Sequence, residues 1–167
     1  MPFVRDILNY NSLSIVGLDK NTGKTECLNY LLRRLPPDYR AAVTSIGIDG
    51  EEKDQVTRGV KPEITLREGL LFSTAEAYYR SRKLGAELLD ISEENSSMGR
   101  IVTGRVIREG KILLAGPSST QSLKRWMQDI GRYGVDLKIV DGASNRLSLA
   151  SPAVSQAMIL STGAAYS

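Results

Sequence analysis

The stretch that most constrains this chain is SIVGLDKNTGKTECLNYLL, residues 14–32, in which an apolar run ends at Gly17 and a polar loop closes on Gly23-Lys24-Thr25. Ser14-Ile15-Val16-Gly17 is short, β-branched and bounded by glycine, as a buried parallel strand is. Beyond the loop, Leu28, Leu31, Leu32 and Leu35 recur at spacings of three and four, and Pro36-Pro37 stops the helix they define. Strand, glycine loop and helix in this order form the first half of a parallel crossover unit.

With 167 residues, 41% of them apolar and 25% charged, the chain has the size and composition of one soluble globular domain. Its net charge of +3 is spread among nearly as many acids as bases. No basic block and no basic–aromatic interleaving favours a nucleic-acid partner. A single cysteine, Cys27, excludes an internal disulfide framework, and packing as a small apolar residue on the first helix is its ordinary role. The absence of histidine removes Cys/His zinc sites and Ser-His or Cys-His nucleophile systems. No apolar run approaches the ~20 residues of a membrane span, and MPFVRDILNYN lacks the apolar stretch of a secretory signal. The expectation is a cytoplasmic protein without a membrane partner.

Further along, Ala41 to Ile48 reads as a second strand stopping at Asp49-Gly50, followed by the acid-rich loop GEEKDQ. Ser73-Thr74-Ala75-Glu76 has capping-box spacing and predicts a helix over AYYRSRKL, closed by Gly85 in the left-handed region. Ala86 to Ile91 predicts a strand, and SEENSSMG a polar connection. Ile101 to Ile107 and Lys111 to Leu114 predict an antiparallel hairpin turning through Arg108-Glu109-Gly110. Leu123, Trp126, Met127, Ile130 and Tyr133 share one helical face, with Gly134 after them. Leu137 to Val140, ending in Asp141-Gly142, and Ala157 to Leu160, ending in Ser161-Thr162-Gly163, predict two more strands. The expected fold is α/β: a mainly parallel sheet flanked by helices in three layers, with an inserted hairpin.

The loop carries the most specific chemistry. A P-loop core reads G-x-x-x-x-G-K-[ST]; Gly23-Lys24-Thr25 fits its end, but Leu18 stands where the first glycine belongs, with Gly17 one place earlier. The physical demand is still met, because successive backbone N–H groups and a helix N-terminus can wrap a phosphate. Gly17, Asp19, Lys20, Asn21, Thr22, Gly23, Lys24, Thr25 and Glu26 are the candidate nucleotide-binding residues. Lys24 would reach the β- and γ-phosphates, and the Thr25 hydroxyl would ligate Mg²⁺. Asp49 and Asp141 each follow a strand at the sheet edge where ligands bind in open α/β folds, although Asp-Gly is also a plain turn dipeptide. Glu51 and Asp54 read as solvated loop acids.

GLDKNTGKT resembles the longer G-x-x-x-x-x-G-K-T loop of dethiobiotin synthetases and cobyrinate amide synthases, in the SIMIBI class of P-loop proteins. VDGA, residues 140–143, and MILSTGA, residues 158–164, are similar to later strand ends of that class. The resemblance implies a catalytic set of Lys24, Asp49 and Asp141, with Thr25, Asp49 and Asp141 about the metal. Lys20 stands four residues before Lys24 rather than five, so the signature-lysine role of the MinD and ParA branch is not carried over. A second resemblance, through TSIGIDGEEKD, LLAGPSS and VDGASNRLSLASP, is to ATPase subunits of lysine 5,6-aminomutase reactivating factors. These are longer, which implies a chain shortened at its C-terminus.

Three readings follow for residues 1–167 as a single P-loop nucleotide-binding domain. The first is Mg²⁺-dependent binding and slow hydrolysis of ATP or GTP as a switch on a partner enzyme or second subunit, such as an adenosylcobalamin-dependent aminomutase under reactivation. The second is an ATP-dependent ligase or amide synthase. The third is a non-catalytic interaction domain. A homodimer is compatible with each, and because base recognition in this class lies beyond MILSTG, the base is left open.

Overall fold

The computed structural model describes residues 2–18, 22–46, 62–96, 98–142 and 154–163. A short helix α1 (Pro2–Ile7) leads into strand β1 (Ser12–Gly17), helix α2 (Lys24–Arg34) and strand β2 (Ala41–Ser45). Strands β3 (Ile64–Leu66) and β4 (Leu71–Ala75) follow, then helix α3 (Glu76–Arg80) and the long strands β5 (Lys83–Ser96) and β6 (Gly99–Ile112). Helix α4 (Thr120–Ile130) runs into a 3-10 turn (Gly131–Tyr133), and strands β7 (Leu137–Asp141) and β8 (Ala157–Ser161) complete the sheet.

The sheet has the order β3-β6-β4-β2-β7-β1-β8, with β5 on β6. Pairs β2–β4, β2–β7, β1–β7 and β1–β8 are parallel, whereas β6 runs antiparallel to β3, β4 and β5. The fold is thus α/β with a mainly parallel mixed sheet flanked by helices.

Strands buried on both faces divide their residues between two cores with period two. Leu13 and Ile15 of β1, Val43 of β2 and Ile139 of β7 pack with Val4, Leu28, Leu31 and Leu32 of α1 and α2. Their neighbours Val16, Ala42 and Val140 pack instead against Leu123, Trp126, Met127 and Ile130 of α4. Helices therefore cover opposite faces of the sheet. Each fully buried leucine of α2 contributes about 1.5–3 kcal/mol relative to exposure, enough to hold an 11-residue helix that would be marginal alone. The α4 N-terminus is closed by Ser119, whose hydroxyl accepts from the Ser122 N–H, and Gly134 follows the 3-10 turn at φ +69°.

The middle of the chain departs from the sequence reading. Ser73, Thr74 and Ala75 belong to buried β4, not to a helix cap; the Thr74 hydroxyl donates to the Leu113 carbonyl, and that of Ser73 bonds to Thr103. Only Glu76–Arg80 of the expected helix forms, because Lys83 and Leu84 already belong to β5, where Lys83 pairs with Lys111. Gly85 is not a cap but a strand residue, where a Cβ would come within 2.9 Å of the Arg108 Cβ. Nor do Arg108-Glu109-Gly110 turn: β6 runs straight through them, and a Cβ on Gly110 would sit 1.9 Å from the Lys83 carbonyl oxygen. These glycines admit the close approach of the neighbouring strand rather than a turn. The actual hairpin connects β5 to β6 within the segment expected to be a polar connection, with Gly99 at φ +98° just after it. The second strand ends at Ser45, and the acids Asp49, Glu51 and Asp54 lie outside the described residues.

Candidate functional site

Neighbouring strands β1 and β7 send the chain in opposite directions. From β1 it passes through α2 to β2 beyond β7, and from β7 it proceeds to β8 on the far side of β1. In open α/β sheets such a reversal is where ligands bind, at the carboxyl ends of the two strands. Ile15 is in register with Asp141 and Gly17 with Ser161, so the ends of β1, β7 and β8 meet at one edge. Backbone bonds fasten them: the Gly142 N–H donates to the Ile15 carbonyl (2.7 Å), Leu18 N–H to Ser161 (3.1 Å) and Ile46 N–H to Asp141 (3.0 Å).

The loop enters α2 through Gly23, whose φ of 88° and ψ of 16° lie in the left-handed region. A Cβ there would be 3.7 Å from the Ser161 Oγ, ordinary contact, so the dihedral rather than space demands glycine. The Ser161 hydroxyl donates to the Thr22 carbonyl and ties the loop to β8. Gly23 has no side chain with which to cap, so the helix begins with Lys24, Thr25 and Glu26 in its unsatisfied first turn.

Lys24 is the local anomaly. A cation in the first helical turn opposes the positive end of the helix dipole, at a cost of about 0.3–1 kcal/mol. Its ammonium turns to the end of β7, donating to the Gly142 carbonyl and lying 3.8 Å from the Asp141 Oδ1. The two side chains are only 20% and 14% exposed, so the pair interacts with less screening than a surface ion pair. Asp141 also acts on Cys27, one turn into α2. Burial raises the thiol pKa above its ordinary 9.0, and the Asp141 charge adds to the rise.

The structure brings Gly17, Thr22, Gly23, Lys24, Thr25 and Asp141 to this one sheet edge, with Glu26 exposed beside them. Asp19, Lys20, Asn21 and Asp49 lie outside the described residues. Among the described residues, no group of three His, Cys, Asp or Glu side chains is arranged to hold a metal ion, and no helix is long and apolar enough to cross a membrane. Ser161 and the Gly142 carbonyl were not among the sequence candidates. The strand end Ser161-Thr162-Gly163 gave a signal for the first, whereas a backbone acceptor leaves none. A groove of about 320 Å³ lined by Glu76, Ala77, Arg80 and Met98, beside α3 and the hairpin, contains none of the candidate residues. No protein family, curated protein or solved structure matches the chain.

Proposed function

We propose that the chain binds a nucleoside triphosphate, ATP in the first instance, together with Mg²⁺ at the carboxyl ends of β1 and β7, and hydrolyses it slowly as a switch on a partner protein. The observation that carries this reading is the partly buried Lys24 ammonium, which stands at a helix N-terminus it should avoid, behind a left-handed Gly23 and beside Asp141. A residue that breaks a local rule marks a functional site when a ligand compensates it, and an anion at this helix end would do so.

The residues present fit such a ligand. The first-turn N–H groups of α2 would receive phosphate oxygens, and Lys24 would exchange the Gly142 carbonyl for them. Thr25 would offer its hydroxyl to the metal, with Asp141 at the end of β7 and, by the sequence resemblance alone, Asp49. Bound Mg²⁺ would supply charge neutralisation at the phosphates. The chain's own contribution is to position and to hold charge, which accords with the absence of any histidine base. Reactivation of a cobalamin-dependent aminomutase is the partner role to which the sequence resemblance extends this reading.

The test is thermal unfolding with Mg·ATP. Saturation at about 100 times Kd should stabilise the fold by about 2.7 kcal/mol, and Lys24→Ala should remove that gain. An equal gain in the variant would refute the assignment.

A further inference from the structure

Among the described residues, the strands β5 and β8 at opposite sides of the sheet are built differently. On one side β5 carries Lys83, Glu87, Asp90, Glu93 and Glu94, and its pairing with β6 shifts register repeatedly. Charges and bulges of this kind keep an edge from pairing with another strand. At the other end, β8 pairs only with β1 among the described residues, and its sequence AMILS bears no charge. Every Lys, Arg, Asp and Glu of the chain lies at or before Arg146.

The apolar content of β8 is not fully used by the fold. Ala157 and Ile159 pack toward the α2 core. Met158 and Leu160, in register with Ser14 and Val16, project toward the α4 face and stay 41% and 43% exposed. Leu18, whose N–H bonds to the Ser161 carbonyl, is 53% exposed beside them. Among the described residues, an unprotected edge and an exposed apolar strip therefore coincide.

We infer that β8 is the pairing edge for a second copy of this chain, joined antiparallel about a two-fold axis so that the two sheets become continuous. The charge pattern selects this occupant. With Ile159 at the axis, Met158 faces the partner copy's Leu160 and Ala157 faces its Ser161, so self-pairing meets no like charge, whereas β5 against itself would set acid against acid. A charged partner would find nothing on β8 to match. Five paired residues and a narrow apolar strip fall below the ~800 Å² per partner of a standard interface, so the dimer should dissociate in the micromolar range. Since Ser161 also holds the Thr22 carbonyl, association would steady the glycine loop. The inference is independent of nucleotide binding.

Sedimentation velocity of the full chain from about 1 to about 200 µM reads it directly. A dimer fraction that rises over this range, is weakened about tenfold or more by Leu160→Lys or Met158→Lys, and is unchanged by Leu88→Lys on β5 is the expected result. A monomer throughout, or a dimer that survives both lysine changes with its circular dichroism intact, or one broken by Leu88→Lys, would overturn it. Should neither β8 variant fold, amide exchange of wild-type β8 decides: slower exchange at high concentration supports the pairing, and concentration-independent exchange excludes it.

Discussion

The Lys24 ammonium lies 3.8 Å from a carboxylate oxygen of Asp141, and the same ammonium donates to the carbonyl of Gly142, 118 positions along the chain. Loop and distant strand end are thus joined by one side chain. This contact has opposing costs. Removing the lysine relieves about 0.3–1 kcal/mol of dipole conflict, but it leaves a largely buried carboxylate without its cation, at about 1–3 kcal/mol. The second effect wins, so Lys24→Met without ligand should destabilise by about 1–2 kcal/mol in urea unfolding. The double variant Lys24→Met/Asp141→Asn should show a coupling of at least about 0.5 kcal/mol, and additivity would mean that the contact is energetically idle.

Glycines of two kinds should respond differently to alanine. Gly69, at φ +89° with nothing within 4 Å of an added Cβ, should lose only the conformational cost of about 1–2 kcal/mol. Gly110→Ala would drive a methyl to 1.9 Å from the Lys83 carbonyl oxygen, so about 3 kcal/mol or more is expected, with faster amide exchange in β5 and β6. A smaller loss at Gly110 than at Gly69 would contradict the close-approach explanation.

Hydroxyls form a buried chain beneath α4: the Trp126 indole N–H donates to the Ser73 Oγ at 2.8 Å, and that oxygen is 2.7 Å from the Thr103 Oγ1. Ser73→Ala should cost about 1–3 kcal/mol, since it orphans a buried indole donor. As Trp126 is the only tryptophan, emission should shift to shorter wavelength as the bond is lost, and an unshifted spectrum would argue against it.

Which parts of this fold were legible follows from where the chain places its apolar residues. α2 and α4 announce themselves because their apolar residues recur with the helix period, and β1, β7 and β8 because each is a short apolar run ended by a glycine or a polar turn. β4 misleads because Ser73 and Thr74 are core residues whose hydroxyls bond sideways, although their spacing to Glu76 imitates a cap. The hairpin misleads because Gly85 and Gly110 serve close contact between the open ends of the consecutive strands β5 and β6, well away from the turn that joins them, which no local pattern records. At the site, Gly23, Lys24 and Asp141 were readable from motif and position, whereas the Gly142 acceptor and the Ser161 tie depend on strand register.

Cys27 gives a pH dependence with a definite sign. Its thiol pKa is raised in the folded state, so the folded protein retains a proton that the unfolded chain releases near 9.0. The stabilisation is therefore complete below that pH and is lost as pH rises through the folded value. Cys27→Ala should flatten this alkaline decline, and Asp141→Asn should hasten alkylation of Cys27 by removing one cause of the shift. Tyr39, raised above 10.0 by burial and then by Asp136, adds to the decline at higher pH.

Equilibrium binding of a fluorescent ATP analogue, with and without Mg²⁺ and in competition with GTP, tests the central claim most directly. The account predicts saturable binding that strengthens with Mg²⁺, weakens about tenfold or more in Lys24→Ala, and loses its metal dependence in Asp141→Asn. Absence of binding, or binding indifferent to Mg²⁺ and to Lys24, would contradict it.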